Sequence, residues 1–485
     1  MAGDDMRAAI VRFERALGEI TARVFNREEN GKPRALAVAY SGGLDSSVLL
    51  QLAHAYTQAH GIALHAFHVH HGLSPHADAW QAHCTATAAS LGVAFDLRRV
   101  TVDAGSSDGI EGAARSVRYA ALGAMCREHQ IPLLLTAHHE DDQAETVLLQ
   151  LLRGSGVAGL SGMDTANHAP DLLGDATLLM ARPMLTLGRA MLQAIAGVRQ
   201  IAHVEDASNQ DPRHARNALR AQVMPVLETY FPGFAGRFAR SARHAQSAQQ
   251  LLIELASQDL ALCTGGIDVL DGAAIRLDRL RDISAASAAR ADNLLRYWFG
   301  SRGMRMPSTA WLSELRSQLF NAKADAQLLV RHPECDLHRH RNRIVMTPRR
   351  PLPNPEQDAD EDAVPFTWSG QDCLAFADFG GVLHFLPSEV GVDAAWLRSQ
   401  SLKLQSRSGG WRLKLAANRS TRSLKYHYQA ADIPAWERSR LPLVVCGTEL
   451  LFAAGLGFDC KFLSVHSGPR ITLHWQAELW GSAHR

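Results

Sequence analysis

Within the first 25 residues, Ile10, Val11, Phe13, Leu17, Ile20 and Val24 recur at helical spacing. This predicts an amphipathic helix and not the unbroken apolar core of a signal peptide. From Arg34 to about Met180 short apolar runs alternate with longer helical stretches. ALAVAY (35–40) leads into a helix through His54, ALHAFHV (63–69) precedes one around Ala82 to Leu91, and IPLLLTA (131–137) precedes one from about Asp142 to Arg153. Strands separated by helices build parallel βαβ units whose ligands bind at the strand C-termini. Chemistry is therefore expected just after Tyr40, Val69 and Ala137. Residues from about Leu187 to Tyr230 read as helical, and a helix-rich stretch follows from Arg240 to about Ala324. Pro348 to Pro365 combines five prolines with an acidic run, a composition of extended, solvated linkers. Glycine-punctuated short strands then predict a small α+β domain. The expected architecture is α/β: a parallel-sheet domain over 1–232, a helix-rich domain over 233–347, a linker over 348–365 and an α+β domain over 366–485.

Composition changes this picture little. With 485 residues, 46% hydrophobic and 20% charged, the chain has material for several cores. No run approaches the roughly 18 apolar residues of a membrane span, so a soluble, cytoplasmic protein with no membrane partner is expected. The seven cysteines are scattered and form no C-x-x-C pair, which argues against a disulfide framework, a zinc knuckle and a paired-thiol redox centre. A net charge of +1 gives no global sign of a polyanionic partner. Locally, Lys403, Arg407, Arg412, Lys414, Arg419, Arg422 and Lys425 occur with no acidic residue among them and lie beside Tyr426 and Tyr428. Such an unbalanced basic stretch favours nucleic-acid phosphate over a merely solvated strand face.

The segment Ser41, Gly42, Gly43, Leu44, Asp45, Ser46 and Ser47 follows the first strand and opens a helix. The glycines allow a tight turn and close ligand approach, and turn and helix N–H groups converge on an anion. The serine hydroxyls add donors, and Asp45 can face a magnesium ion bridging phosphates. A Walker A lysine and a G-x-G-x-x-G fingerprint are both absent. The alternative is a plain strand-to-helix turn. His68, His70 and His71 end the second strand, and His138, His139, Glu140, Asp141, Asp142 and Glu145 follow the third. A transition-metal site competes with magnesium here, although no cysteine accompanies either cluster. Asp142 and Glu145, three apart, share one helix face and could hold an ammonium ligand or a metal, or simply cap the helix. Arg115 and Arg118, beside Glu111 and Tyr119, form a comparable pair suited to phosphate or carboxylate, or a solvated face. Asp206, Ser208, Asn209, Asp211, Arg216, Asn217 and Arg220 read by themselves as a capped loop.

SGGLDSS resembles the PP-loop of ATP pyrophosphatases, which split ATP between its α and β phosphates. Taken in order with FHVHHGLSPHAD, EGAARSVRY, TAHHEDDQAETVLLQLLRGSGVAGLSGM, ARPML and EDASNQDPRHARNALR, it resembles the tRNA(Ile)-lysidine synthetase family. RSGGWRLKLAANRSTRSLKYHYQAADIPAWERSRLPLVVCGTELLFAAGLGFD is similar to that family's C-terminal domain, apart from Trp411, where a polar residue is expected. The resemblance implies an adenine nucleotide alpha hydrolase-like fold and adenylation of the C2 oxygen of the wobble cytidine in a CAU-anticodon tRNA(Ile). The ε-amine of free L-lysine would then displace AMP. It implies ATP and Mg2+, with residues 41–47 holding the phosphates and Asp45 the metal ligand. Asp142 and Glu145 would position or deprotonate the lysine amine, and His138 would orient the nucleotide or stabilise developing charge. Arg115, Arg118, Arg153, Arg216 and Arg220 would contact substrate carboxylate, phosphate or tRNA, and Arg412, Arg419, Arg422 and Lys425 the tRNA. A homodimer is compatible with this reading. The rival readings are a PP-loop tRNA thiolase and a non-catalytic tRNA-binding module.

Overall fold

A computed structural model describes residues 2–25, 34–72, 74–102, 109–205, 215–265, 274–323, 328–349, 363–407, 409–438, 440–463 and 468–477. The chain divides into two compact units, residues 1–254 and 255–484.

The first unit runs α1 (Ala2–Phe25), β1 (Ala35–Ala39), α2 (Leu44–His60), β2 (Ala63–His70), α3 (Ala77–Ser90), β3 (Ala94–Arg99), α4 (Gly109–Glu128), β4 (Leu133–Leu135) and α5 (Glu140–Leu152). It continues through α6 (Val157–Leu160), β5 (Ala166–His168), α7 (Pro170–Leu173), β6 (Leu179–Ala181), α8 (Arg189–Val198), α9 (Ala215–Ala218), a π-helical turn (Leu219–Val223) and α10 (Met224–Tyr230). The strands form one sheet in the order β3-β2-β1-β4-β6-β5, parallel except for β5. Both faces of β1 are covered. Leu36 and Val38 pack with α1, α2 and α8, whereas Ala35 and Ala37 pack with α4. This is why the strand reads as a continuous apolar run and not an alternating one. Chain order reverses between β1 and β4, which puts a crevice at their C-terminal ends.

In α1, Phe13, Leu17 and Ile20 are buried as expected, but Val11 is 52% exposed. It sits one position off the stripe that faces the sheet. The stretch from Leu187 to Tyr230 is not one helical run. After α8 the chain extends, and Val204 bridges Gly43 in parallel, its N–H donating to Gly42 O at 2.9 Å. Short β5 and β6 were not foreseen either, since three-residue strands carry too little periodicity to distinguish them.

The long helix α11 (Phe234–Thr264) begins immediately after the expected boundary at 232, whereas the division into compact units falls inside it. Next come β7 (Ala274–Arg276), α12 (Leu277–Ala286), α13 (Ala288–Gly300), α14 (Thr309–Asn321), β8 (Leu329–Arg331), β9 (Cys335–His340) and β10 (Arg343–Pro348). The region is helix-rich as expected, but it also contains an antiparallel sheet in the order β7-β10-β9-β8. Ile275, Leu337 and Ile344 from this sheet pack on Trp298, Phe299, Leu312 and Leu315 from the helices.

The remaining elements are β11 (Val364–Phe366), β12 (Cys373–Phe376), β13 (Gly381–Asp393), α15 (Ala394–Ser399), β14 (Leu402–Gln405), β15 (Arg412–Leu413), β16 (Arg422–Ser423) and α16 (Leu424–Ala430). Then follow α17 (Ala435–Arg438), β17 (Leu443–Cys446), β18 (Glu449–Ala453), β19 (Gly457–Phe458) and β20 (Arg470–Ala477). They make antiparallel sheets β11-β14-β17-β18-β19 and β12-β13-β20 and the small pair β15-β16, the α+β domain that was expected. The expected linker is shorter at both ends, because Pro348 pairs with Cys335 and Pro365 with Lys403. Its interior, 350–362, lies outside the described residues.

Candidate active site

The crevice at the ends of β1, β2 and β4 is a cleft of about 1310 Å³. Its lining includes Ser41, Gly43, Leu44, Asp45 and Ser46, together with His68, His70, His71, Arg118, His138, Asp142, Arg189, Asn217 and Arg220. Residues from six separated stretches of sequence thus share one cavity.

The loop after β1 is built by backbone requirements. Gly42 has φ +84°, and a Cβ there would lie 2.9 Å from Cys84 Sγ and 3.3 Å from Val204 Cγ2. Gly42→Ala should therefore destabilise the unit by about 1–3 kcal/mol through strain and raise the KM for ATP; steady-state kinetics alongside urea unfolding test both. Gly43 is the N-cap of α2 and offers no side-chain cap, so the first-turn N–H groups remain available to an anion. Ser46 Oγ donates to Gly43 O at 3.0 Å and lies 3.0 Å from Ser41 Oγ, while Ser47 Oγ donates to Gly42 O at 3.2 Å. Ser47 is buried. Its hydroxyl ties the loop together from behind, in place of the ligand-facing role expected from sequence.

Asp45 has one carboxylate oxygen, Oδ1, that is buried with no hydrogen-bond partner. Burial pushes its pKa up, but the His139 ring 3.7 Å away, with the charges of Arg189 and Arg220, outweighs this and holds it below the usual value. A charged carboxylate with an unclaimed lone pair fits a hard divalent cation shared with phosphate oxygens.

At the start of α5 the acidic run is distributed among three tasks. Asp141 Oδ2 accepts from the Arg189 backbone N–H at 2.7 Å and so holds the start of α8. Asp142 Oδ2 accepts from His139 N–H at 3.0 Å, and its Oδ1 faces Arg216 at 3.3 Å and Arg220 at 3.1 Å. Glu145 is 1% exposed. Its Oε2 accepts from Arg216 Nε at 2.7 Å and its Oε1 from Arg220 Nε at 2.6 Å. Arg220 sits in the π-helical turn, an irregularity that often marks functional positions. With both oxygens claimed by guanidinium groups, Glu145 is placed to orient the two arginines, which differs from the amine-facing role expected of it.

His138 is half-buried, with Nδ1 at 3.0 Å from Thr136 Oγ1. Burial, followed by the positive charges of Arg182, Arg115, Arg216 and Arg118, holds its pKa well below the usual value, so the ring is neutral. Arg115 and Arg118 both lie over the ring of Tyr119, at 5.0 and 5.5 Å. His68 Nδ1 meets Tyr40 O at 2.9 Å and His70 Nε2 meets Asp78 Oδ1 at 3.2 Å. Among the described residues no three His, Cys, Asp or Glu side chains converge on a metal position, which removes the support for a transition-metal cluster.

Arg153 is not brought to the cleft. It is the exposed C-cap of α5, roughly 16 Å along the helix from Asp142. Asp206, Ser208, Asn209 and Asp211, and the side chain of Glu111, lie outside the described residues. Sequence reasoning placed His139 and Asp141 only in a candidate metal cluster and gave Arg189 no role. The first two stood inside the acidic cluster, whereas Arg189 had no local signal beyond following ARPML.

In the second unit Arg412, Arg419, Arg422 and Lys425 are all exposed. Arg422 lies over the exposed Tyr426 ring at 5.5 Å. Tyr428, expected beside it in the same patch, is instead buried, with its hydroxyl donating to Ala454 O at 3.0 Å. Trp411 packs against the small core of Leu413, Leu424 and Tyr428, so its apolar character has a structural reason.

Comparison with known proteins agrees with this layout. A PP-loop domain matches residues 12–227, a TilS substrate binding domain residues 279–345 and a TilS substrate C-terminal domain residues 402–475. The chain is 41% identical over 446 residues to the tRNA(Ile)-lysidine synthase of Ralstonia nicotianae, covering 90% of this chain and 92% of that one. It is 40% identical over 435 residues to the enzyme of the same name from Alkalilimnicola ehrlichii, covering 89% and 92%. Among the described residues no helix is long and apolar enough to cross a membrane.

Proposed function

The chain belongs to the tRNA(Ile)-lysidine synthase family, and from that premise we propose that this cleft joins L-lysine to the wobble cytidine of a CAU-anticodon tRNA(Ile) in two steps. The cytidine C2 oxygen attacks the α-phosphate of ATP, and pyrophosphate leaves into the loop of residues 41–47. The lysine ε-amine then adds at C2, the C2–O bond breaks, and AMP departs. The supporting observation is that the phosphate loop with Asp45 and the Asp142–Arg216–Arg220 cluster line or adjoin one cleft.

Positioning and charge neutralisation carry most of such a reaction, since ATP supplies the leaving group. The first-turn N–H groups of α2 receive the departing phosphates. Magnesium, when bound at Asp45, supplies charge neutralisation on those phosphates. Arg189, Arg216 and Arg220 offer positive charge to the α-phosphate or the lysine carboxylate. Neutral His138 donates to, or accepts from, the nucleotide without adding charge. Asp142, which lines the cleft, attracts the lysine ammonium and takes its proton, because only the neutral amine is nucleophilic. Arg115 and Arg118 extend the positive wall toward the RNA.

A sulfur-transferring relative would need reactive thiols. Burial pushes the Cys84 and Cys126 thiols up to about 12, which leaves them inert, and no cysteine lines the cleft. This favours lysine as nucleophile over a sulfur donor.

The direct test incubates the protein with ATP, magnesium, lysine and a CAU-anticodon tRNA(Ile) transcript. Mass spectrometry should find one lysine added per tRNA, with AMP and pyrophosphate released. AMP formed only with a sulfur donor would point to a thiolase, and no AMP at all would leave a binding module.

The exposed cluster of Arg412, Arg419, Arg422 and Lys425 supplies tRNA phosphate contacts. Arg419→Glu with Arg422→Glu should weaken tRNA binding at every anticodon sequence and reduce the salt slope of binding by about 2. Binding titrations at several salt concentrations read this directly, and an unchanged slope would remove the patch from the interface.

A further inference from the structure

His139 fills the N-cap position of α5 with a ring larger than capping requires. It is 1% exposed. Its N–H donates to Asp142 Oδ2 at 3.0 Å, and its Nδ1 accepts from the Asp142 N–H at 3.4 Å. Asn, Asp or Ser would close the same pair of contacts, and these are the usual residues there. The imidazole also carries Nε2 to 3.3 Å from Asp142 Oδ2 and 3.7 Å from Asp45 Oδ2. A ring that accepts at Nδ1 bears its proton on Nε2, which here lies between the two carboxylates. Asp45 comes from the first turn of the helix after β1 and Asp142 from the first turn of the helix after β4, and these strands are neighbours at the reversal of chain order.

We infer that His139 is a positioning residue that fixes Asp45 and Asp142 relative to one another, so that one buried ring aligns the phosphate end of the cleft with its lysine end. Without a donor between them the two carboxylates repel, and each can turn from its working direction. Asp45 is especially exposed to this loss, because its Oδ1 has no other tether. The inference rests on the lysine-ligation reading and deepens it.

The discriminating variant is His139→Asn, which preserves a good N-cap but cannot reach Asp45. In the full-length enzyme, KM for Mg-ATP and KM for lysine should both rise by about 10-fold or more, in the range found when groups that orient ligating residues are lost. KM for tRNA should stay at the parent value, and the thermal midpoint should fall by only a few degrees, because a buried ring gives way to a smaller side chain and the two carboxylates lose the donor between them. Wild-type-like KM values for ATP and lysine would reduce His139 to a helix cap and overturn the inference. A fall in kcat with every KM unchanged, the signature of a smaller folded fraction, would overturn it as well. Wild-type enzyme that adds no lysine would sink the underlying reading, an outcome distinct from active wild type matched by H139N.

Discussion

Asp142→Asn is expected to lower lysine transfer by about 10²–10⁴-fold, the range for losing a positioned general base, with a stability loss of about 1–2 kcal/mol, because the amide NH2 must face either the His139 N–H or the two arginines. Asparagine keeps the size of the side chain and can still accept one hydrogen bond from Arg216 or Arg220, whose contacts to Oδ1 are 3.3 and 3.1 Å. It loses the charge that attracts an ammonium and the lone pair that removes its proton. Adenylation should suffer less, because pyrophosphate leaves against the loop of residues 41–47 and Asp45. The measurement is a two-stage assay, with pyrophosphate release followed before lysine is added and AMP release followed after. Equal turnover by the variant would take Asp142 out of the chemistry. Loss of pyrophosphate release as large as loss of lysine transfer would move it to the first step.

Glu145→Gln should cost more in stability, about 3 kcal/mol, alongside the loss of activity. The carboxylate is buried, and each oxygen receives a guanidinium Nε, at 2.7 Å from Arg216 and 2.6 Å from Arg220. A glutamine must present an NH2 group to one of them, which leaves a donor facing a donor. Breaking a buried pair by removing one partner costs about 3–5 kcal/mol. The lower figure applies because the arginine side chains keep 28% and 32% exposure. Urea unfolding of the catalytic unit gives the stability term, and the two-stage assay gives the activity. A variant as stable as the parent would mean that the arginines are held by other groups.

The contrast between these two carboxylates bears on what the sequence could show. Their spacing made them equivalent, two acids on one helix face, and supplied no reason to separate their roles. The structure separates them by depth: Asp142 reaches the cleft, while Glu145 sits behind it against Arg216 and Arg220. Those arginines stood in a segment that looked by itself like a capped polar loop. The serines of the phosphate loop give the same lesson. Residue type made all three hydroxyls phosphate donors, yet Ser47 is turned inward to Gly42 O because α2 winds in that direction. Tyr428 looked like a stacking platform beside a basic run and is part of a small core.

The sequence by itself determined what depends on near neighbours. The strand-turn-helix around Ser41 to Ser47, the glycine demanded at 42, the α1 stripe, the βα alternation and the basic stretch from Lys403 to Lys425 are encoded over a few residues, where periodicity and turn chemistry operate. The family and its chemistry came from the resemblance carried by SGGLDSS, FHVHHGLSPHAD, EGAARSVRY, TAHHEDDQAET and the later motifs taken in order. The tertiary structure alone decided what depends on chain crossings. These include the strand order that sets β1 beside β4, the sheet inside the helix-rich region, and the extended path that brings Val204 to Gly43. They also include the partners of Asp45, Asp142 and Glu145. Ion-pair and hydrogen-bond partners are chosen by distance in space, and residues 71 to 78 positions apart, such as Glu145 with Arg216 and Asp142 with Arg220, carry no trace of that choice in local pattern.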